Sequence, residues 1–243
     1  MIVKSRAIVL RCVKYADQKV IVDFYTETHG RITCGVKLSA TPKGKMQKRL
    51  FQPLTSLLIE IDYRANKQMQ RLTDLQMDVA WTSLTVDPVK ASLGMFLAEV
   101  LCNVTRQEQE DVPLYQFIMT SMQWLDLTDG SVANFHIAFL IRLTRYLGFL
   151  PVAEDYSEGN IFDLRTGEFP SVAPLHHDFL APVDASRMYQ LLRISYPTMH
   201  LFRMSRQERR QCLDTIMTYY RLHLPSFPQP KSLGILYEMF DGM

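Results

Sequence analysis

The chain has 243 residues, of which 47% are hydrophobic and 21% charged. That is enough apolar side chain for a substantial core in one large domain or two small ones, and it excludes disordered and collagen-like composition. The four cysteines, at 12, 34, 102 and 212, form no C-x-x-C pair, which argues against a disulfide framework and a thiolate zinc site. No run approaches the ~18 apolar residues of a membrane-spanning helix. The first fifteen residues have charges spaced through their apolar stretch, unlike a secretory signal, so the expectation is a cytoplasmic globular protein. The net charge of +2 conceals a division. Residues 1–75 carry 14 Lys/Arg against 6 Asp/Glu, and the remainder carries 13 against 19. A basic first third on an acidic body suggests a polyanion-binding domain. Surplus lysine on the solvated edges of a small β-domain would give the same imbalance.

In chain order, the first third alternates with the period of strands. Ala7–Tyr15 is expected to place Ile8, Leu10 and Cys12 on one face. Val20, Val22 and Phe24 alternate through Lys19–Thr26. Thr28-His29-Gly30 is a turn in which glycine supplies a positive φ. Arg31–Leu38 resumes a strand, Leu57, Ile59, Ile61 and Tyr63 line another, and a last short one falls within Met69–Met77. Five short strands with one long connection suit a five-stranded OB-type barrel over residues 1–80.

The period becomes helical from Pro88, and residues 81–243 are expected to form a helical domain. Leu93, Phe96, Leu97, Val100, Leu101 and Val104 follow the helical template. Leu114, Phe117, Ile118, Met122 and Leu125 define a second helix, and Phe139, Leu140, Leu143 and Leu147 a third. An irregular insertion is expected at about 149–183, where periodicity is lost and Pro151, Gly159, Gly167, Pro170, Pro174 and Pro182 gather. Helices return at about Ala185–Ile194 and Ser205–His223, the latter opened by the capping box Ser205-x-x-Glu208, and a short last helix carries Leu233, Leu236, Tyr237 and Phe240. The predicted class is therefore α+β.

No motif for catalysis stands out. Phosphate-loop, dinucleotide, zincin and nucleophile-elbow patterns are all missing, and His176-His177-Asp178 has no further metal ligand at usable spacing. We expect no catalytic residues, no cofactor and no metal. The distinctive stretch is residues 36–54, with Lys37, Lys43, Lys45, Lys48 and Arg49 and no carboxylate from residue 28 to residue 59. Its Gly and Pro predict a flexible loop that wraps phosphates beside a barrel on which bases stack. Lys4, Arg6 and Arg71 are further phosphate-contact candidates. Tyr15, Phe24, Tyr25, Phe51 and Tyr63 are the aromatics at hand, most of them expected in the core. An OB-type RNA-binding or translation-associated protein would use the same features.

Five stretches follow one another in a recognisable order. They are Ala7-Ile8-Val9-Leu10 with Tyr15-Ala16-Asp17; Tyr25-Thr26-Glu27-Thr28-His29-Gly30; basic Val36-Lys37 through Gln52-Pro53; Arg142-Leu143-Thr144-Arg145-Tyr146-Leu147-Gly148-Phe149-Leu150-Pro151; and Tyr219-Tyr220 and His223-Leu224 with Lys231-Ser232-Leu233-Gly234-Ile235-Leu236. In this order and spacing the chain resembles the bacterial recombination mediator RecO family over essentially its full length. The resemblance implies an N-terminal OB-fold, a helical C-terminal domain and no turnover of a small substrate. It further implies binding of single- and double-stranded DNA, strand annealing, and partnership with RecR and with single-stranded-DNA-binding protein (SSB) in loading recombinase, in the cytoplasm at the nucleoid. Two departures stand out. Many relatives carry a four-cysteine zinc ribbon after the Gly148-Phe149 motif, whereas no cysteine lies between Cys102 and Cys212 here, so the insertion is expected to be zinc-free and held by Phe162, Leu164 and Phe169. Leucine and serine follow Lys37 where the family has glycine. The SSB tail is acidic and ends in an apolar residue with a free carboxylate, so its receptor should join an apolar pocket to cations. The candidates are Arg203, Arg206, Arg209 and Arg210 around the start of the long C-terminal helix, and Arg142 and Arg145 on the third. Arginines at helical spacing also form ordinary solvated faces.

Overall fold

The computed structural model describes residues 1–39, 41–105 and 110–241. The chain gathers into two compact units, residues 1–127 with 230–236, and residues 128–229 with 237–243. The change of period near residue 80 falls inside the first.

The first unit is built on a five-stranded antiparallel sheet in the order β3-β2-β1-β4-β5, with β1 at Ile2–Ala16, β2 at Lys19–Thr26, β3 at Gly30–Lys37, β4 at Ser56–Asp62 and β5 at Arg71–Val79. β1 is long because it serves two partners, its first half pairing with β4 and its second with β2. The sheet curls until its edges touch. Cys34 and Gln70 form a parallel bridge, with Gln70 N–H donating to Thr33 O (2.8 Å) and Gly35 N–H to Gln70 O (3.3 Å). The contact is a single bridge, with no continuous β3–β5 ladder among the described residues. Ala7, Val9, Val22, Phe24, Ile32, Cys34, Leu57 and Ile59 fill the concave side with Phe51, and burial pushes the Cys34 thiol up to about 12. Gly30 takes φ +60°, as its turn requires.

Two expectations for this unit are corrected. First, Ile8 and Leu10 do not share a face with Cys12. A bulge between Val9 and Arg11 shifts the register of β1 by one residue, so Ala7, Val9 and Cys12 face the sheet core. Ile8 and Leu10 are buried on the other face, the side on which helix α2 (Pro88–Val104) packs against β1. Second, the basic segment is not a loop: Pro42–Leu50 forms helix α1. Thr41 is its N-cap, accepting from Gly44 N–H at 3.4 Å, and proline at the first helical position has the φ a helix wants. Gly44 is required here, since a Cβ would strike the Ser39 carbonyl oxygen.

Asp23, 1% exposed, organises the outer side of β2. It accepts from Thr33 Oγ1 (2.6 Å), Arg31 (3.0 Å) and Arg11 (2.7 Å), and Arg31 also donates to Cys102 O at the end of α2. Burial works to raise the Asp23 pKa, but the Thr33 hydrogen bond and the two guanidinium charges prevail and hold it below the usual carboxylate range. Replacing Asp23 by alanine leaves Arg31 half-buried without its anion. We expect a loss of about 3 kcal/mol, measured as a lower urea midpoint at neutral pH.

Helix α3 (Val112–Leu127) completes this unit and presents Asp126, whose carboxylate accepts the N–H groups of Thr82, Ser83 and Leu84. Helix α7 (Ser232–Asp241) starts within the same unit, where Glu99 of α2 accepts from Lys231 N–H and Ser232 N–H, both at 2.8 Å.

The second unit contains α4 (Phe135–Tyr146), α5 (Pro182–Leu192) and α6 (Arg206–His223). The predicted capping box is present: Ser205 accepts from Glu208 N–H at 3.2 Å, while the Glu208 carboxylate takes the Ser205 N–H at 2.8 Å. Tyr220 donates to Leu140 O at 2.7 Å, locking α6 to α4. In the insertion, β6 (Phe162–Asp163) and β7 (Phe179–Leu180) pair as a two-residue antiparallel ribbon. Phe162, Leu164 and Phe169 are all buried; Phe162 and Phe169 pack at 4.7 Å, and Tyr219 of α6 joins them. His176 faces Asp163 at 3.3 Å. Among the described residues no group of three or more His, Cys, Asp or Glu is placed to hold a metal ion, and no described helix is long and apolar enough to cross a membrane.

Candidate nucleic-acid interface

The β1–β2 hairpin, α1 and the end of β3 share one end of the sheet. β3 is fastened there by Leu38 N–H donating to Gln18 O in the hairpin turn at 2.7 Å. Lys37, the last residue of β3, lies opposite Lys19 of β2. Lys48 and Arg49 form the last turn of α1, where cations also suit the helix dipole. Lys48 stands close enough to Cys12 for its charge to act on that thiol, which burial pushes up. Lys14 and Lys19 flank the hairpin turn, and Tyr15 projects between them with 69% exposure. Lys14, Lys19, Lys37, Lys48 and Arg49 are all exposed, and none is in an ion pair among the described residues. Lys43 and Lys45 belong to α1 by their backbone, while their side chains lie outside those described.

The second-rank candidates sit elsewhere. Lys4 pairs with Glu60 at 3.0 Å and Arg6 with Asp78 at 3.7 Å, so part of their charge is already compensated. Arg71 is exposed at the start of β5, opposite Asp62. Sequence reasoning does not single out Lys14 and Lys19. Their signal is the short turn 17–18, which brings the two flanking lysines to one tip.

In the helical unit, Arg142 is exposed over the Tyr196 ring (5.3 Å) and Arg145 is exposed on the same helix. Arg209 is held internally, donating to Asn134 Oδ1 (3.0 Å) and Met204 O (3.2 Å) above the Phe240 ring. Arg210 lies over Tyr237 at 4.4 Å, and Arg206 opens α6 on the surface. Arg203 instead lines an open cavity of about 620 Å³ together with Arg193 and Arg187 and an apolar wall of Leu191, Leu201 and Met204. Arg187 is partly neutralised by Asp184 and Glu208. Arg193, which no sequence pattern marks, is exposed beyond the end of α5.

A small curled antiparallel sheet with a cationic end, followed by a helical body, defines a two-part α+β protein. Residues 1–78 match the profile of the recombination protein O N terminal region, and residues 86–233 match that of the C terminal region. The chain is 45% identical over 241 residues to the DNA repair protein RecO of Phocaeicola vulgatus, covering 99% of this chain and all of that protein. It is 44% identical over 242 residues to the protein of that name from Bacteroides fragilis, again covering 99% of this chain and all of the other. With that from Azobacteroides pseudotrichonymphae it shares 33% identity over 241 residues, with the same coverage. The chain belongs to the recombination protein O family.

Proposed function

We propose that this protein works in DNA repair as a mediator without catalytic turnover. The family membership supports the repair role. In this reading residues 1–80 hold single- and double-stranded DNA by the phosphates, and residues 81–243 engage RecR and the acidic tail of SSB, so that strands anneal and recombinase loads on SSB-coated DNA beside the nucleoid. The observation that carries it is the group of exposed cations outside the described ion pairs at the hairpin end of the sheet, Lys14, Lys19, Lys37, Lys48 and Arg49. Phosphate contacts of this kind position a strand without reading its bases. No described structural feature favours the RNA-binding alternative.

For the SSB tail, the cavity at Arg193 and Arg203 supports the reading best, because it joins an apolar wall to two exposed guanidinium groups. A terminal apolar side chain enters the cavity while its carboxylate meets an arginine in a charge-assisted pair. Charge reversal of both, Arg193→Glu with Arg203→Glu, should abolish binding of the tail peptide in a fluorescence titration. Binding of bare DNA should stay at the wild-type level. Wild-type protein that binds no tail peptide refutes the tail site, and wild-type protein that binds no DNA refutes the reading as a whole.

A further inference from the structure

Alternation along β2 and β3 buries Val20, Val22, Cys34 and Val36 on the concave side and turns Lys19, Ile21, Gly35 and Lys37 to the convex face. Pairing aligns the second set. Val13 of β1 stands opposite Ile21, Ile21 opposite Gly35, and Lys19 opposite Lys37. Glycine at 35 leaves the room that Met69 occupies, since a Cβ there would meet Met69 Sδ at 2.7 Å. An apolar strip, Val13–Ile21–Gly35–Met69, therefore crosses the strands on the convex face, with Val13 45% and Met69 44% exposed. It spans three interstrand spacings, about 14 Å.

The flanks of the strip are cationic. Lys19 and Lys37 border it on the hairpin side. On the other side the Asp23 network sets two arginines against one carboxylate, so it keeps a net positive charge. At the hairpin tip Tyr15 occupies the bulge between Lys14 and Ala16, with Asp17 in the turn beyond it. Tyr15, Val13, Gly35 and Met69 are exposed and Ile21 is partly so, and they lie between groups that attract phosphates. An unpaired strand can lay its bases on such a surface and its backbone along the flanks. A duplex keeps its base faces stacked inside and gains only from the flanks.

We propose that Tyr15 and the strip Val13–Ile21–Gly35–Met69 form a base-contacting track that makes this sheet prefer single-stranded over double-stranded DNA. The proposal rests on the DNA-binding reading above and adds the face that contacts bases.

The test uses the intact chain, a labelled oligothymidylate and a duplex of equal length, and compares wild type with Tyr15→Ala, Tyr15→Ala/Val13→Ser and Tyr15→Phe. Tyr15 and Val13 are exposed, so these changes open no core. Single-strand affinity should fall about tenfold in Tyr15→Ala and further in the double variant. Duplex affinity and the salt slope should hold, and Tyr15→Phe should keep the wild-type preference. A single-strand to duplex ratio unchanged in the double variant, with duplex affinity kept, overturns this proposal while the phosphate-binding reading stands. A parallel fall of both affinities also overturns it. Wild-type protein that binds neither nucleic acid overturns both readings.

Discussion

Replacing Lys37, Lys48 and Arg49 together by alanine should weaken DNA binding similarly for every sequence and flatten its salt dependence. Each phosphate neutralised by a protein cation releases condensed counterions, so the log–log slope of affinity against salt falls by roughly 0.7–0.9 for each phosphate left unneutralised. With three such phosphates the slope changes by about 2 to 3. Accumulated between about 1 M and 50 mM salt, each cation is worth about one decade, so the triple variant should bind roughly a thousandfold more weakly at 50 mM and nearly normally at 1 M. All three side chains are exposed and outside the described ion pairs, so the substitution should lower the melting temperature only slightly, by the loss of the Lys48 and Arg49 charges at the end of the α1 dipole. Fluorescence anisotropy across a salt series measures both quantities. An unchanged slope would make these residues a solvated edge and nothing more.

The elements of the first unit are legible in the sequence where one face of a strand is buried and the other wet. β3 lies within one residue of its predicted limits because Ile32, Cys34 and Val36 alternate with more exposed residues. The facing of β1 is not legible, because both of its sides are covered from Ala7 to Leu10. Apolar residues run unbroken from Ala7 to Leu10, and the bulge at Val9–Arg11 leaves no trace in the pattern. α1 is hidden for a different reason. Thr41-Pro42 and Gly44 have the composition of a turn, yet here they are an N-cap, a first-turn proline and a close approach to Ser39. With four cations in nine residues the helix has almost no apolar face to announce it. The cationic end is legible only in part: the density of lysine between residues 37 and 49 is visible in the sequence, while its convergence with Lys14 and Lys19 depends on the hairpin and on the Leu38–Gln18 hydrogen bond. On the helical side, arginine spacing alone does not separate Arg209, which holds Asn134 and Met204, from Arg203, which lines a cavity. That distinction depends on residues 134 and 204, distant in the sequence or outside the helix.

The protein should lose stability on mild acidification, and His136 should be the cause. His136 is 1% exposed in α4, stacked on the Phe240 ring at 5.5 Å. Arg206, Arg209, Arg210 and Tyr237 are the charged and titratable groups lining the same small cavity among the described residues, and none of them is a carboxylate that would welcome an imidazolium. Burial first, and the Arg209 charge second, push its pKa down to about 3. The unfolded chain has an ordinary histidine near 6.5. Between those two values the unfolded state binds a proton that the folded state refuses, so stability falls as pH falls, by about 1.4 kcal/mol per pH unit. From a pH of about 6.5 to about 5 the loss should approach about 2 kcal/mol. Asp23, Glu99 and Asp126 are also shifted downward, but they contribute only at lower pH. Their folded values lie below the ordinary 3.8 and 4.5, so the stability they supply is complete at neutral pH and is lost only as pH drops below about 4.5. The interval above pH ~5 therefore isolates the histidine. His136→Phe keeps an aromatic ring against Phe240 and removes the proton site, so its urea midpoint should be nearly flat across that interval while the wild-type midpoint declines. A decline that survives in His136→Phe would place the acid-sensitive group elsewhere.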